Sequence, residues 1–186
     1  MRKGVEGRLR GECSRTKGND MGHDPQIQVR AEQHYVGIPV TVTMEGLSAA
    51  VDSAIPELFG WLASQGTAPS GPPFIRYLVI DMAAKMQIEL GVPVAAPVTA
   101  SDRVQPGSLP EGEYLVLRHT GPYDGLIASN AALQRWAHEH QVEFDTWDTA
   151  EGSAWRGRAE HYLTNPAAEP DPAKWETDVA YLTTRA

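Results

Sequence analysis

Apolar positions along the chain fall into two similar series. Ile27, Val29, Tyr35, Val36, Ile38, Val40 and Val42 predict strand over 26–42, bent where Gly37-Ile38-Pro39 interrupts it. Leu47, Val51, Ile55, Leu58 and Leu62 then recur at helical spacing as far as a stop at Gly66. Pro56 lies inside that stripe and should kink the helix or split it, because proline lacks a backbone donor and crowds the preceding turn. Beyond the Gly- and Pro-rich loop 66–73, residues 74–80 and 85–90 predict two strands. The second series keeps the order. It has a strand over 113–119 and a helix opened by Gly121-Pro122, with Leu126, Leu133 and Ala137 on one stripe. A loop over 144–152 then leads to strands over 155–163 and 176–182. Strand, helix, strand, strand thus occurs twice. Such units bury a helix-bearing face each and join their strands in one antiparallel sheet, an α+β fold whose other face is free to curve.

Composition narrows the function without naming it. The 186 residues are 41% hydrophobic and 22% charged, which suits one domain with a tail and a sizeable core. The net charge of −8 is unevenly spread, +3 over residues 1–20 and −11 over the rest. A chain this acidic without a basic stripe is not expected to bind nucleic acid directly. The head has no hydrophobic run of the signal-peptide kind, and too few apolar groups to offset its ordering entropy. Residues 1–24 are therefore expected to be a flexible basic extension and 25–186 the domain, with Met21 a natural start. Twenty residues are too few for a helix-turn-helix domain, so direct transcriptional control is not expected. The single Cys13 can form neither an internal disulfide nor a Cys-built metal site, which suits a cytoplasmic protein. Membrane spanning is not expected.

Candidate chemistry concentrates on the strand after Trp155. Alternate side chains of a strand share a face. One face there carries Trp155, Gly157, Ala159, His161 and Leu163, mostly apolar and suited to the helix-covered side. The other carries Arg156, Arg158, Glu160 and Tyr162, which then point to the opposite side. The plainest reading of that polar face is solvation, with Arg158 pairing Glu160 for less than ~1 kcal/mol.

Five segments change the weighting: 71–77 (GPPFIRY), 89–94 (ELGVPV), 109–114 (LPEGEY), 119–123 (HTGPY) and 160–166 (EHYLTNP). Together, spanning about residues 26–182, they resemble the GyrI-like small-molecule-binding family, the effector-binding domains of AraC-type and multidrug-responsive regulators. The resemblance implies a duplicated module of the SHS2 type, a ligand cleft between the modules and an acidic residue deep within it, here Glu160. It also implies three activities known among members: drug sensing, gyrase inhibition and hydrolysis of cyclopropane-bearing toxins, the last a form of resistance.

A carboxylate buried under aromatic rings is destabilised and awaits a cation or a proton. A planar cationic or electron-poor ligand meets that need, because ring faces attract positive charge. The ring candidates are Tyr77, Trp155, Tyr162 and Trp175, followed by Tyr35 and Phe74, with Trp155 ranked lower for its strand parity. Trp61 and Trp136 belong to helices and read as core. As a hydrolase the site would use Glu160 as general base and Tyr162 or Tyr77 as donor to a developing oxyanion. As a gyrase-directed inhibitor the part of the chain after residue 20, at −11, would compete for a basic channel. A stand-alone small-molecule binder is the leading reading. Its partner would be a hydrophobic aromatic ligand, with a regulator or gyrase left open, and its oligomeric state either monomer or homodimer. His138 and His140, two residues apart, share no helix face. His119 and His161 read as structural, and Glu89 as support for strand pairing. No cofactor or metal motif is present in the sequence, and no hydrolase or nucleotide fingerprint.

Overall fold

The computed structural model describes residues 24–184 apart from 82, 100 and 102. The basic head expected to be flexible, with Cys13, lies outside the described residues. Nine strands and two α-helices follow in order: β1 (Gln26–Arg30), β2 (Gln33–Val42), α1 (Leu47–Ser64), β3 (Phe74–Ile80), β4 (Met86–Pro93), β5 (Gln105–Leu109), β6 (Gly112–Thr120), α2 (Leu126–Glu139), β7 (Thr146–Thr149), β8 (Gly152–Tyr162) and β9 (Glu176–Leu182). All pair antiparallel in one sheet of order β1-β6-β9-β8-β3-β4-β2-β5, with β7 beside the first part of β8. The order is symmetric about the β8–β3 junction, as a duplicated module requires. The expected α+β class is therefore what folds.

Two strand boundaries differ from expectation. β2 runs unbroken through Pro39, and the interruption falls at Ala31-Glu32 instead. Residues 35–37 of β2 have partners on both sides, whereas Pro39 lies where only β4 pairs with it. An edge tolerates a missing donor. β5 and β7 were not expected at all. The sequence QPGSL of β5 is short and carries proline and glycine, and β7 (TWDT) is exposed throughout, so neither shows the alternation that marks a half-buried strand. α1 is likewise one helix through Pro56.

Just two residues separate β1 from β2, yet the two stand near opposite ends of the sheet order. The sheet must therefore curl until its ends approach. Its inner face is filled by Tyr35, Phe74, Leu109 and Ala159 and, beside them, Tyr114, Val116, Ala180 and Leu182. Within it Arg76 donates to the Tyr35 hydroxyl (2.7 Å) and the Ser108 carbonyl (3.1 Å) and lies 3.4 Å from Glu89, its neighbour across β3 and β4; Tyr35 also donates to Glu89. Glu89 thus ties strands together, as expected of it. On the outer face α1 packs Leu58 and Leu62 against Ile38, Ile88 and Leu90, while α2 packs Leu133 and Ala137 against Leu115, Val179 and Tyr181. Trp61 and Trp136 are half-buried at the margins of these two cores.

His161 sits on the inner face, its ring 5.3 Å from Phe74 and its Nε2 3.3 Å from Arg30 Nη1. Burial first, and then the Arg30 charge, hold its pKa down to about 4, against an opposing pull from Asp178. The unfolded chain takes up this proton near pH 6.5 and the folded chain only near 4. In that window the unfolded state binds more protons, so stability is full above 6.5 and is lost as pH falls toward 4. The expected loss is about 3 kcal/mol. Urea midpoints measured from pH 7 to 4 should show it, and His161→Gln should flatten the decline; an unchanged slope in that variant would refute the assignment.

Candidate functional site

Each helix carries more apolar surface than its core uses. In α1, Ala54, Leu58 and Leu62 are buried, whereas Leu47, Val51, Ile55 and Phe59 turn toward a cleft between the helices. In α2, Leu126, Asn130, Leu133 and Ala137 form the buried stripe, and Ile127, Ala131 and Gln134 flank the same cleft. β3 and β8 make its floor through Ile75, Tyr77, Trp155, Arg158, Glu160 and Tyr162. The cavity is about 1160 Å³. Met44, Phe59 and Ile127 remain exposed around it, the kind of apolar patch that marks a binding surface.

Glu160 lies in the floor and is 5% exposed. Its Oε2 accepts from the Tyr77 hydroxyl at 3.0 Å and the Tyr162 hydroxyl at 3.2 Å, and its Oε1 accepts from Asn130 Nδ2 at 2.7 Å. Among the described residues Glu160 forms no ion pair. Burial first, and then the Glu160 charge, push the Tyr77 and Tyr162 hydroxyls well above their usual titration range, so both stay protonated and donating. Asn130 is held in that orientation from its other end, where Oδ1 accepts from Arg158 Nη2 (3.3 Å) and from the Tyr181 hydroxyl. Nδ2 also donates to the Leu126 carbonyl at 2.8 Å.

The sequence placed this group on the wrong side of the sheet. Glu160, Arg158 and Tyr162 share the helix-bearing face, and the Ala159 and His161 face is the inner one. Small and apolar residues on β8 mark close approach across the curl, not helix cover. Trp155 also changes face. Between the pairs Tyr77–Arg158 and Val79–Ala154, β3 has one residue and β8 has three, so the register shifts within 155–157 of β8. The shift brings Trp155 round to the Glu160 side, with the Arg158 guanidinium 4.8 Å from its ring.

Tyr77, Trp155, Tyr162 and Glu160 are thus gathered in one cleft. Trp175 is not in its wall but reaches it through Tyr123, its ring tilted 36° to that ring at 4.7 Å, and Tyr123 meets Tyr162 edge-on at 5.2 Å. Tyr35 and Phe74 are fully buried on the inner face and do not line the cleft. The expected Arg158–Glu160 pairing is replaced by the Asn130 bridge. Asn130, Tyr123 and Tyr181 escaped the sequence reading. Asn130 carried a signal nonetheless: a polar residue at the i+4 position of the Leu126 stripe. Among the described residues no three His, Cys, Asp or Glu side chains are placed to share a metal ion, and no helix is long and apolar enough to cross a membrane.

A curled antiparallel sheet with a helix on each half, and an apolar cleft between them over a hydrogen-bonded carboxylate, is the build of a small-molecule-binding domain. The chain belongs to the family of GyrI-like small molecule binding domains, whose family model matches residues 23–181. No curated protein sequence matches it. Among solved structures it is similar to EcmrR in an EcmrR–DNA complex, with TM-score 0.71 and 17% identity over 88% of this chain; it spans only 58% of that chain. The isolated EcmrR C-terminal domain matches over its full length, 100%, and 90% of this chain, with TM-score 0.67 and 16% identity. SAV2435 bound to tetraphenylphosphonium matches with TM-score 0.60 and 14% identity, over 87% of this chain and 94% of that one.

Proposed function

We propose that the cleft between α1 and α2 captures a hydrophobic aromatic ligand that presents a cationic or hydrogen-bond-donating group to Glu160. The observation that carries this reading is the 5% exposed Glu160 carboxylate, which has hydroxyl and amide donors but no ion-pair partner among the described residues, at the floor of an apolar cavity. An ionised carboxylate offers about four acceptor sites, so three protein donors leave room for one from a ligand. The ring faces of Tyr77, Trp155 and Tyr162 and the aliphatic walls Val51, Ile55 and Ile127 supply apolar contact without fixed direction. That combination favours a range of planar cations over one shape. The fold-level likeness to a protein seen with tetraphenylphosphonium agrees with it.

Capture is favoured over hydrolysis by the hydroxyl bonding. Tyr77 and Tyr162 both donate to Glu160, so neither proton is free for an oxyanion while the carboxylate would serve as base. Titration of the protein with tetraphenylphosphonium should quench tryptophan fluorescence to saturation, and mass spectrometry after incubation with a cyclopropanoid electrophile should show no added water. No saturable quenching would refute capture; water addition that depends on Glu160 would replace it with hydrolysis.

A further inference from the structure

The cleft holds a second charge that the carboxylate reading does not use. Arg158 lies two positions before Glu160 on β8, half-buried in the cavity wall. Its guanidinium lies 4.5 Å from the Tyr181 ring centroid, 4.8 Å from Trp155 and 5.4 Å from Tyr77, so three rings fix its position. Among the described residues no carboxylate pairs with it. Its one side-chain hydrogen bond is the 3.3 Å donation to Asn130 Oδ1, and its Nε is buried with no partner. Asn130 stands between the two charges, donating to Glu160 and accepting from Arg158, and thereby keeps them from neutralising each other. An arginine so placed is short of an anion in the same way that Glu160 is short of a cation.

We infer that the ligand is amphoteric: an aromatic molecule whose carboxylate or other strong acceptor is held by Arg158 while its cationic or donor end meets Glu160. This rests on the cleft being the binding site. It also refines specificity. A purely cationic aromatic gains from Glu160 but is opposed by Arg158 nearby, whereas a zwitterion satisfies both. Asp52 and Asp124, the other charged residues at the cleft, are exposed at its rim, where solvent screens them.

Rhodamine B and its ethyl ester are a matched pair of probes, sharing one delocalised cation and differing by a free carboxylate. Fluorescence anisotropy should show the wild-type chain binding rhodamine B about 10-fold or more tightly than the ester, the size of one charge-assisted hydrogen bond. Arg158→Met keeps an unbranched apolar stem against the rings and should erase that preference, with the ester bound as well as before or better. Arg158→Lys should restore part of it. Equal wild-type affinities, or a preference that survives Arg158→Met, overturn the inference and leave the cleft reading standing. Binding of neither dye overturns both. The wild-type comparison decides even if a variant fails to fold.

Discussion

Glu160→Gln is expected to weaken the binding of an aromatic cation about 10- to 100-fold, the loss of one charge-assisted interaction at a buried group. The same change should leave stability within about 1 kcal/mol of wild type. Glutamine fits the space, its carbonyl can accept from Asn130 Nδ2, and its amide can face the Tyr77 and Tyr162 hydroxyls once these rotate to accept. What disappears is a buried charge with no counter-ion among the described residues, a group that costs stability until a ligand compensates it. Calorimetric titration with tetraphenylphosphonium, together with a thermal scan, separates the two quantities. Lost affinity at unchanged melting temperature marks a residue kept for binding. Unchanged affinity would remove Glu160 from the site, and a large drop in melting temperature would make it a structural residue.

The other large effect lies off the cleft. Gly157→Ala should destabilise the fold by about 1–3 kcal/mol, since an added Cβ would stand 2.7 Å from Leu182 Cβ and 2.9 Å from the Tyr114 hydroxyl oxygen. Those contacts belong to the inner face, so the strand must move outward to relieve them. Gly157 lies in the irregular stretch between Ala154 and Arg158 and directly precedes Arg158 of the cleft floor, so outward movement shifts that floor. Ligand affinity should fall together with stability, a pairing opposite to that for Glu160→Gln. Chemical denaturation and the same titration check it. Full stability in Gly157→Ala would mean that the curl is looser at this point than the contact distances require.

Several elements were legible without coordinates because one local pattern dictates each. Leu58 and Leu62 mark the buried side of α1, and Leu126, Leu133 and Ala137 that of α2. The apolar runs of β3 and β4 identify themselves by branched and aromatic residues. β5 and β7 did not, since their place comes from strands beside them and not from their own side chains. The halves of α1 diverge for a similar reason. Leu47, Val51 and Ile55 continue the stripe of Leu58 and pack at the edge of the same core, yet they are only half-buried, because they also line the cleft between α1 and α2.

By itself the sequence determined the duplicated strand-helix-strand-strand order and the family, and it singled out Glu160, Tyr162 and Tyr77 as residues that would meet. Hydrophobic period and short motifs are local properties, and both are written in order along the chain. Only the tertiary structure decided which face of the sheet holds the cleft and that Trp155, given the other face by strand parity, turns into it. It also decided that Asn130 stands between the two charges. Face parity is reset in the irregular stretch between Ala154 and Arg158, where Gly157 lies close against Leu182 and Tyr114, residues distant from it in sequence that the curl of the sheet brings near.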